Sequence, residues 1–406
     1  MLIALALAAC GGGNSASPPP SPEQQLLDRL SELCREAEKS IPNASNWAGV
    51  LDEVTYQNDG RGEFLKLALE HSASLPPTPS PATAEEFLAE MKATQEARDA
   101  EVAMSPEELD VELAGSQPYA KRYAELLKYD SLAALAPRED WSSRQNAAVA
   151  RLLGAMSRRL RLLCLGGRTQ EAEGELLVHL EVLGRLDRDS NLRARMWVNG
   201  EVLRLLRELV QGGLNLLADS AKVQAALEPL YEHGDILQKR AWLRDFKYWC
   251  AFYSQASRAK LFEFAERNYG ERLAGLQRMV NNFGCEIEIA KAFESHAPDL
   301  LDADEFNAAL RLAKAGAPDV ADKLCQAAYQ EARWRAGWLG YRLYLAGKKG
   351  ELTMDSPAVE ASKGKYPGTK LEWHPHRLEV RVDPEFPAAI ELGPAYDQPV
   401  VTIPLP

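Results

Sequence analysis

Several short patterns that announce a chemistry are missing from this chain. It has no C-x-x-C pair, no H-E-x-x-H, no G-x-S-x-G, no Walker phosphate loop and no G-x-G-x-x-G. Their absence removes the zinc knuckle, the thioredoxin-like redox pair, the zinc-protease helix, the hydrolase nucleophile elbow and two nucleotide cradles. Positive charge is in short supply as well: 47 Lys and Arg stand against 59 Asp and Glu, a formal net charge of -12. That balance excludes non-specific binding to nucleic acid or to an anionic surface, which needs clustered cations. The N-terminal apolar run, Leu2 to Ala9, has eight residues. A spanning helix needs about 20, so this run cannot cross a bilayer.

What is present begins at that run. Leu7-Ala8-Ala9-Cys10 ends it in small residues and a cysteine, as the apolar region of a secretory signal does before its cleavage site. These four residues resemble the lipobox of bacterial lipoproteins. The resemblance implies a signal peptide over 1–9, cleavage before Cys10 and lipidation of that Cys. No Lys or Arg precedes the run, so we expect the true start to lie upstream of Met1. The stretch that follows, to position 21, is rich in Gly, Ser and Pro and reads as a tether, flexible and then stiffened by proline. Position 11 is Gly rather than the Asp that holds many lipoproteins at the inner membrane, which points to the outer one. The expected partner through Cys10 is therefore the membrane. The expected location is the bacterial cell envelope, facing the periplasm, where a protein partner is also expected.

The whole chain, 406 residues with 46% hydrophobic, is long enough for one large core or two smaller ones. Helical periodicity dominates it. We expect N-terminal helices over 22–118, interrupted by the proline-rich stretch 75–82, where missing backbone donors break a helix. Ser105-Pro-Glu-Glu108 has the form of a helix start. A main helical domain is expected over 119–350. Its clearest unit runs from Trp141 to Leu165, turns at Gly166-Gly167 and returns from Arg168 to Leu186. This pair resembles a single tetratricopeptide-type hairpin, without a second copy at a fixed period. Two helices are read near Gly270–Asn281 and Glu286–Ser295, and a long last one from Pro318 to Ala346. Trp242, Phe246, Trp249 and Tyr253 share one helical face and read as core, with an aromatic ligand groove as the alternative.

The segment 351–406 changes character. Leu378–Val382, Ala388–Leu392 and Val400–Ile403 read as strands of a small antiparallel sheet. The expected fold is thus mainly α: stacked antiparallel helical hairpins, solenoid-like, with a small C-terminal antiparallel β segment. A long helix followed by Tyr366-Pro367 and Asp383-Pro384 loosely resembles the C-terminal part of bacterial pseudopilins. After a lipobox and a helical body, it also resembles a group of secreted or lipid-anchored helical proteins to which no activity attaches.

Few residues offer chemistry. His374-Pro-His376 is the only close histidine pair. On a strand, alternate residues share a face, so both rings could reach one metal, with Glu372 and Asp383 nearby in sequence. The alternative is an ordinary polar turn. His179 sits in a Leu-rich helix without a patterned partner. Arg158, Arg159 and Arg161 read as a solvated helix face. Beyond Cys10, five cysteines (Cys34, Cys164, Cys250, Cys285 and Cys325) are scattered, and most fall in apolar patterns as small core residues. We expect no catalytic residue and no cofactor. The leading reading is a lipid-anchored helical binding or scaffolding module. The alternatives are an envelope hydrolase, metal-dependent through His374 and His376, or an accessory of a secretion or pilus system.

Overall fold

A computed structural model describes residues 20–40, 60–75, 92, 96–132, 143–188, 192–232, 242, 245–246, 249–250, 252–296, 303–350, 352–362, 366, 368–392 and 399–405. The signal run, Cys10, most of the tether and the break at 76–82 lie outside these residues. The protein is mainly α, with a three-stranded antiparallel sheet near the C-terminus. Among the described residues no helix is long and apolar enough to cross a membrane.

The first helices are α1 (Pro22–Ser40), α2 (Arg61–Ala73) and α3 (Pro106–Glu125). A capping box starts α3: Ser105 Oγ accepts from the Glu108 N–H, and the Glu108 carboxylate accepts from the Ser105 N–H. This helix runs straight through Pro118, so the expected boundary at 118/119 falls inside an element. The central hairpin is α4 (Ser143–Leu165) and α5 (Thr169–Arg188). Its turn closes through Gly167, whose φ of 71° is the left-handed conformation that costs a side chain energy. Then come α6 (Leu192–Gln211), α7 (Ala221–Glu232), α8 (Arg258–Tyr269), α9 (Arg272–His296), α10 (Ala303–Gly316) and α11 (Pro318–Lys348). The two helices expected over 270–295 are one helix, α9. Gly284 sits within it where a Cβ would only graze Leu33 of α1, so packing against α1 carries the helix across a residue that locally favours a break.

Apolar residues gather into two cores. The first runs from Phe64 of α2 through α4, α5, α6 and α11 to Ile403, so the helices and the sheet share one interior across the expected boundary at 350/351. The second joins α1, α8 and α9 around Phe283, with Phe246 and Tyr253 of the aromatic segment. Trp242 belongs to the first core and Phe246 to the second. Of the aromatic face, Trp242, Phe246 and Tyr253 are buried and Trp249 is half-buried against the second core.

Helix α11 is the axis of the first core. Eight consecutive residues, Trp334 to Tyr341, are buried, so two turns of it meet protein on every side. It packs against α6, α10 and the sheet.

The C-terminal segment contains α12 (Pro357–Glu360), β1 (Thr369–His374), β2 (Arg377–Val382), α13 (Pro387–Leu392) and β3 (Val401–Pro404), with β2 central. Two expected strands are found as β2 and β3. The third, Ala388–Leu392, is the helix α13. Pro387 at its first position lacks an N–H that a helix start does not need, and two alanines follow. The missing strand is β1, in register with β2 from Thr369↔Val382 to His374↔Arg377.

The arginine run of α4 is a further correction. Arg159 is 1% exposed, not solvated. Its guanidinium holds Glu175 of α5 through two nitrogens and donates to the Leu113 carbonyl (2.6 Å) and Ser116 (2.7 Å) on α3. Arg161 pairs with Glu101 (3.0 Å) and Glu208 (3.5 Å). Arg159 and Arg161 face inward because neighbouring helices bring carboxylates and a carbonyl to them, while Arg158 stays 40% exposed and pairs with Glu101 and Glu112.

Candidate functional site

The histidine pair does not share a strand face. Strand β1 ends at His374, and Pro375-His376 forms the turn into β2, leaving His376 exposed. The groups that do converge are Glu372, His374 and Glu379, whose ligand atoms lie within 4.8 Å of one another. Glu372 and Glu379 are direct cross-strand partners, so two carboxylates face each other. Guanidinium groups already balance them: Arg381 lies 2.6 Å from Glu379 and 3.3 Å from Glu372, and Arg377 lies 2.7 Å from Glu379. Burial pushes the Glu379 carboxyl up, but Arg381 and Arg377 more than offset it and hold it below the ordinary range. A cation entering here would compete with two arginines. Asp383 is outside this group and accepts from the Glu385 N–H at 3.0 Å.

His179 has partners that no local spacing reveals. Its Nε2 lies 3.1 Å from the Glu201 carboxylate, which can only accept, so Nε2 carries the proton. Its Nδ1 lies 2.9 Å from the Tyr123 hydroxyl. Ser157 donates to the same Glu201 oxygen at 2.6 Å. Burial raises the Glu201 carboxyl, yet the His179 hydrogen bond and the Arg204 charge outweigh that and hold it at about 2. Serine, histidine and glutamate meet here, but both Ser157 and His179 are spent on Glu201. The adjoining cavity is about 40 Å³, which suits a water and no substrate. This is a satisfied polar network that ties α3, α4, α5 and α6 together.

The roomier feature is a cavity of about 440 Å³ between α6 and α11, reached also by Arg98 from the helical residues 96–102. Arg98, Arg204, Arg207 and Arg333 line it, with Glu208, Leu203 and Gly200. The residues Gly200 and Gln211 at its rim are exposed. Arg204 and Arg207 stand three apart on α6 and so share a face. Arg98 is 2.9 Å from Glu208. Arg204 binds Glu201 and also donates to the Leu153 carbonyl at 3.1 Å. Arg207 donates its Nε to the Val400 carbonyl at 2.6 Å, linking the cavity wall to the sheet. Burial, with the Arg333 and Arg98 charges beside it, pulls the Arg207 guanidinium down to about 10.

None of these arginines was singled out from the sequence. The i, i+3 pair on α6 is the sole local signal. Arg98 and Arg333 reach the cavity through tertiary packing, and the acidic balance of the whole chain conceals a local excess of positive charge. Comparison of the chain with protein-family models, with curated proteins and with solved structures finds no match.

Proposed function

We propose that this chain is a binding module of the bacterial envelope, held to the membrane by a lipid on Cys10 and presenting a rigid helical body. The observation that carries the binding role is the cavity of about 440 Å³ between α6 and α11. It is of the size small-molecule sites take, about 300–1,000 Å³, and is lined by oriented polar groups. The lipobox-like Leu7-Ala8-Ala9-Cys10 and the tether behind it support the location. The test is intact mass and membrane partitioning of protein made from its native upstream region, beside Cys10→Ser. A chain that starts at Cys10, carries acyl mass and partitions with membrane in the wild type alone is the expected result. An unprocessed, soluble wild type overturns the anchor.

A second reading, a metal-dependent envelope enzyme, is favoured by one observation: the convergence of Glu372, His374 and Glu379. Stoichiometric zinc in purified protein, lost in His374→Ala, supports it. Zinc that is absent, or unaffected by the substitution, removes it.

A further inference from the structure

We propose that the cavity between α6 and α11 is a site for a small oxyanion, a phosphate or carboxylate group gripped by Arg207 and Arg333. This rests on reading the chain as a binding module, and it names the ligand class. Four guanidinium groups meet at one cavity in a chain whose net charge is -12. Two of them are answered: Arg98 by Glu208 at 2.9 Å, and Arg204 by Glu201. The single carboxylate in the lining, Glu208, is also held by Arg161 at 3.5 Å and has little charge left to offer.

Arg207 and Arg333 differ from the other two. Arg207 meets a neutral carbonyl, Val400, and Arg333 lies over the Tyr329 ring at 5.8 Å. Among the described residues no carboxylate pairs with either. Two cations brought close together in a partly buried wall repel each other and lose solvation. An oxyanion seated between them supplies the missing counter-charge and accepts the paired N–H donors that a guanidinium presents. The cavity exceeds what a bare ion fills. Leu203 and the open space at Gly200, where an added Cβ meets nothing within 4 Å, leave room for an organic remainder.

The experiment is calorimetric titration of the full chain in mild detergent at low ionic strength. The probes are inorganic phosphate, citrate and, as a neutral control, glucose. We expect phosphate or citrate to bind and glucose not to, with the stronger of the two anions telling a phosphate site from a carboxylate site. Arg333→Gln and Arg207→Gln each weaken that binding by about tenfold or more, the scale of one charge-assisted hydrogen bond. Because Arg207 also braces the sheet, Gly200→Asp is the deciding variant. It adds a carboxylate to the wall where there is space, and it replaces a glycine inside a helix, so the fold survives. Loss of anion binding in Gly200→Asp, with an unchanged melting curve, is the expected result. Binding of neither anion, or anion binding indifferent to Gly200→Asp and Arg333→Gln, overturns the proposal. Glucose bound in place of the anions and lost in Gly200→Asp overturns the oxyanion while leaving the binding module in place.

Discussion

The ammonium of Lys323 stands 4.7 Å from the centre of the Trp242 ring, with the carboxylates of Asp245 and Glu286 each 3.2 Å away. Trp242 lies in the first core, Asp245 precedes Phe246 of the second, and Glu286 and Lys323 come from α9 and α11. One cation therefore fastens the seam between two apolar interiors.

Lys323→Met is expected to cost about 2 kcal/mol at neutral pH, because it strands two carboxylates at a partly buried site. Burial already raises the Glu286 carboxyl above its ordinary range, against the pull of Lys323. A raised carboxyl favours the fold when protonated, and that advantage is lost as pH rises through its folded value. Removing Lys323 raises it further, so the deficit should shrink on acidification toward the ordinary carboxyl range. Urea unfolding at neutral and mildly acid pH checks this. A deficit that is the same at both would refute the account.

Glu201 has the opposite sign. Its carboxyl is held at about 2 against an ordinary 4.5. It contributes on the order of 3 kcal/mol above the unfolded value, and this is lost as pH falls from about 4.5 to about 2. Glu201→Gln should cost a similar amount at pH 7 and flatten the acid limb of a stability-against-pH curve. An unaltered acid limb in the variant would mean another carboxylate governs acid unfolding.

Two arginines at either end of the same turn region should behave differently. Arg159 is 1% exposed and satisfied by α3 and α5, whereas Arg168 is 40% exposed and pairs with Glu171 at 2.6 Å. Arg159→Lys keeps the charge but loses the forked contact to Glu175, at about 2–4 kcal/mol. Arg168→Ala should cost about 0.5 kcal/mol or less. Equal losses in thermal melts of the two variants would contradict the burial described for Arg159.

Gly340 is where α11 and β3 touch. A Cβ there would come within 2.7 Å of the Val401 Cβ, an atom that no rotamer can move aside. Gly340→Ala should destabilise by about 1–3 kcal/mol, with hydrogen exchange in β3 rising first. Uniform exchange, with β3 no faster than α4, would show that the contact is easily relieved.

Much of the fold was legible because helical spacing is a local property. The stripes around Leu152, Leu180 and Leu205 and the capping box at Ser105 needed no tertiary knowledge. The failures share a cause. Ala388–Leu392 is a short apolar run without strand alternation, and Pro387 starts it as a helix; the edge strand Thr369–His374 does alternate, Lys370 and Glu372 against Leu371 and Trp373, but neither of its faces is fully buried. Gly284 looked like a break until Leu33 packed beside it. Arg159 looked solvated until Glu175 and Leu113 came to meet it. The sites were less legible still. His374 drew attention, yet its neighbours by geometry are Glu372 and Glu379 rather than His376. The arginines of the cavity come from stretches that have no signal in common.

The burial of Trp334 to Tyr341 on every side bears on how this protein can vary. A residue with one exposed flank can change size toward solvent; one enclosed on all flanks must keep its volume. Saturation mutagenesis should therefore find those two turns the least permissive stretch of the chain. Homologous sequences should drift in length and composition at the surface before they drift there. That segment of α11 is therefore the most useful probe with which to look for distant kin.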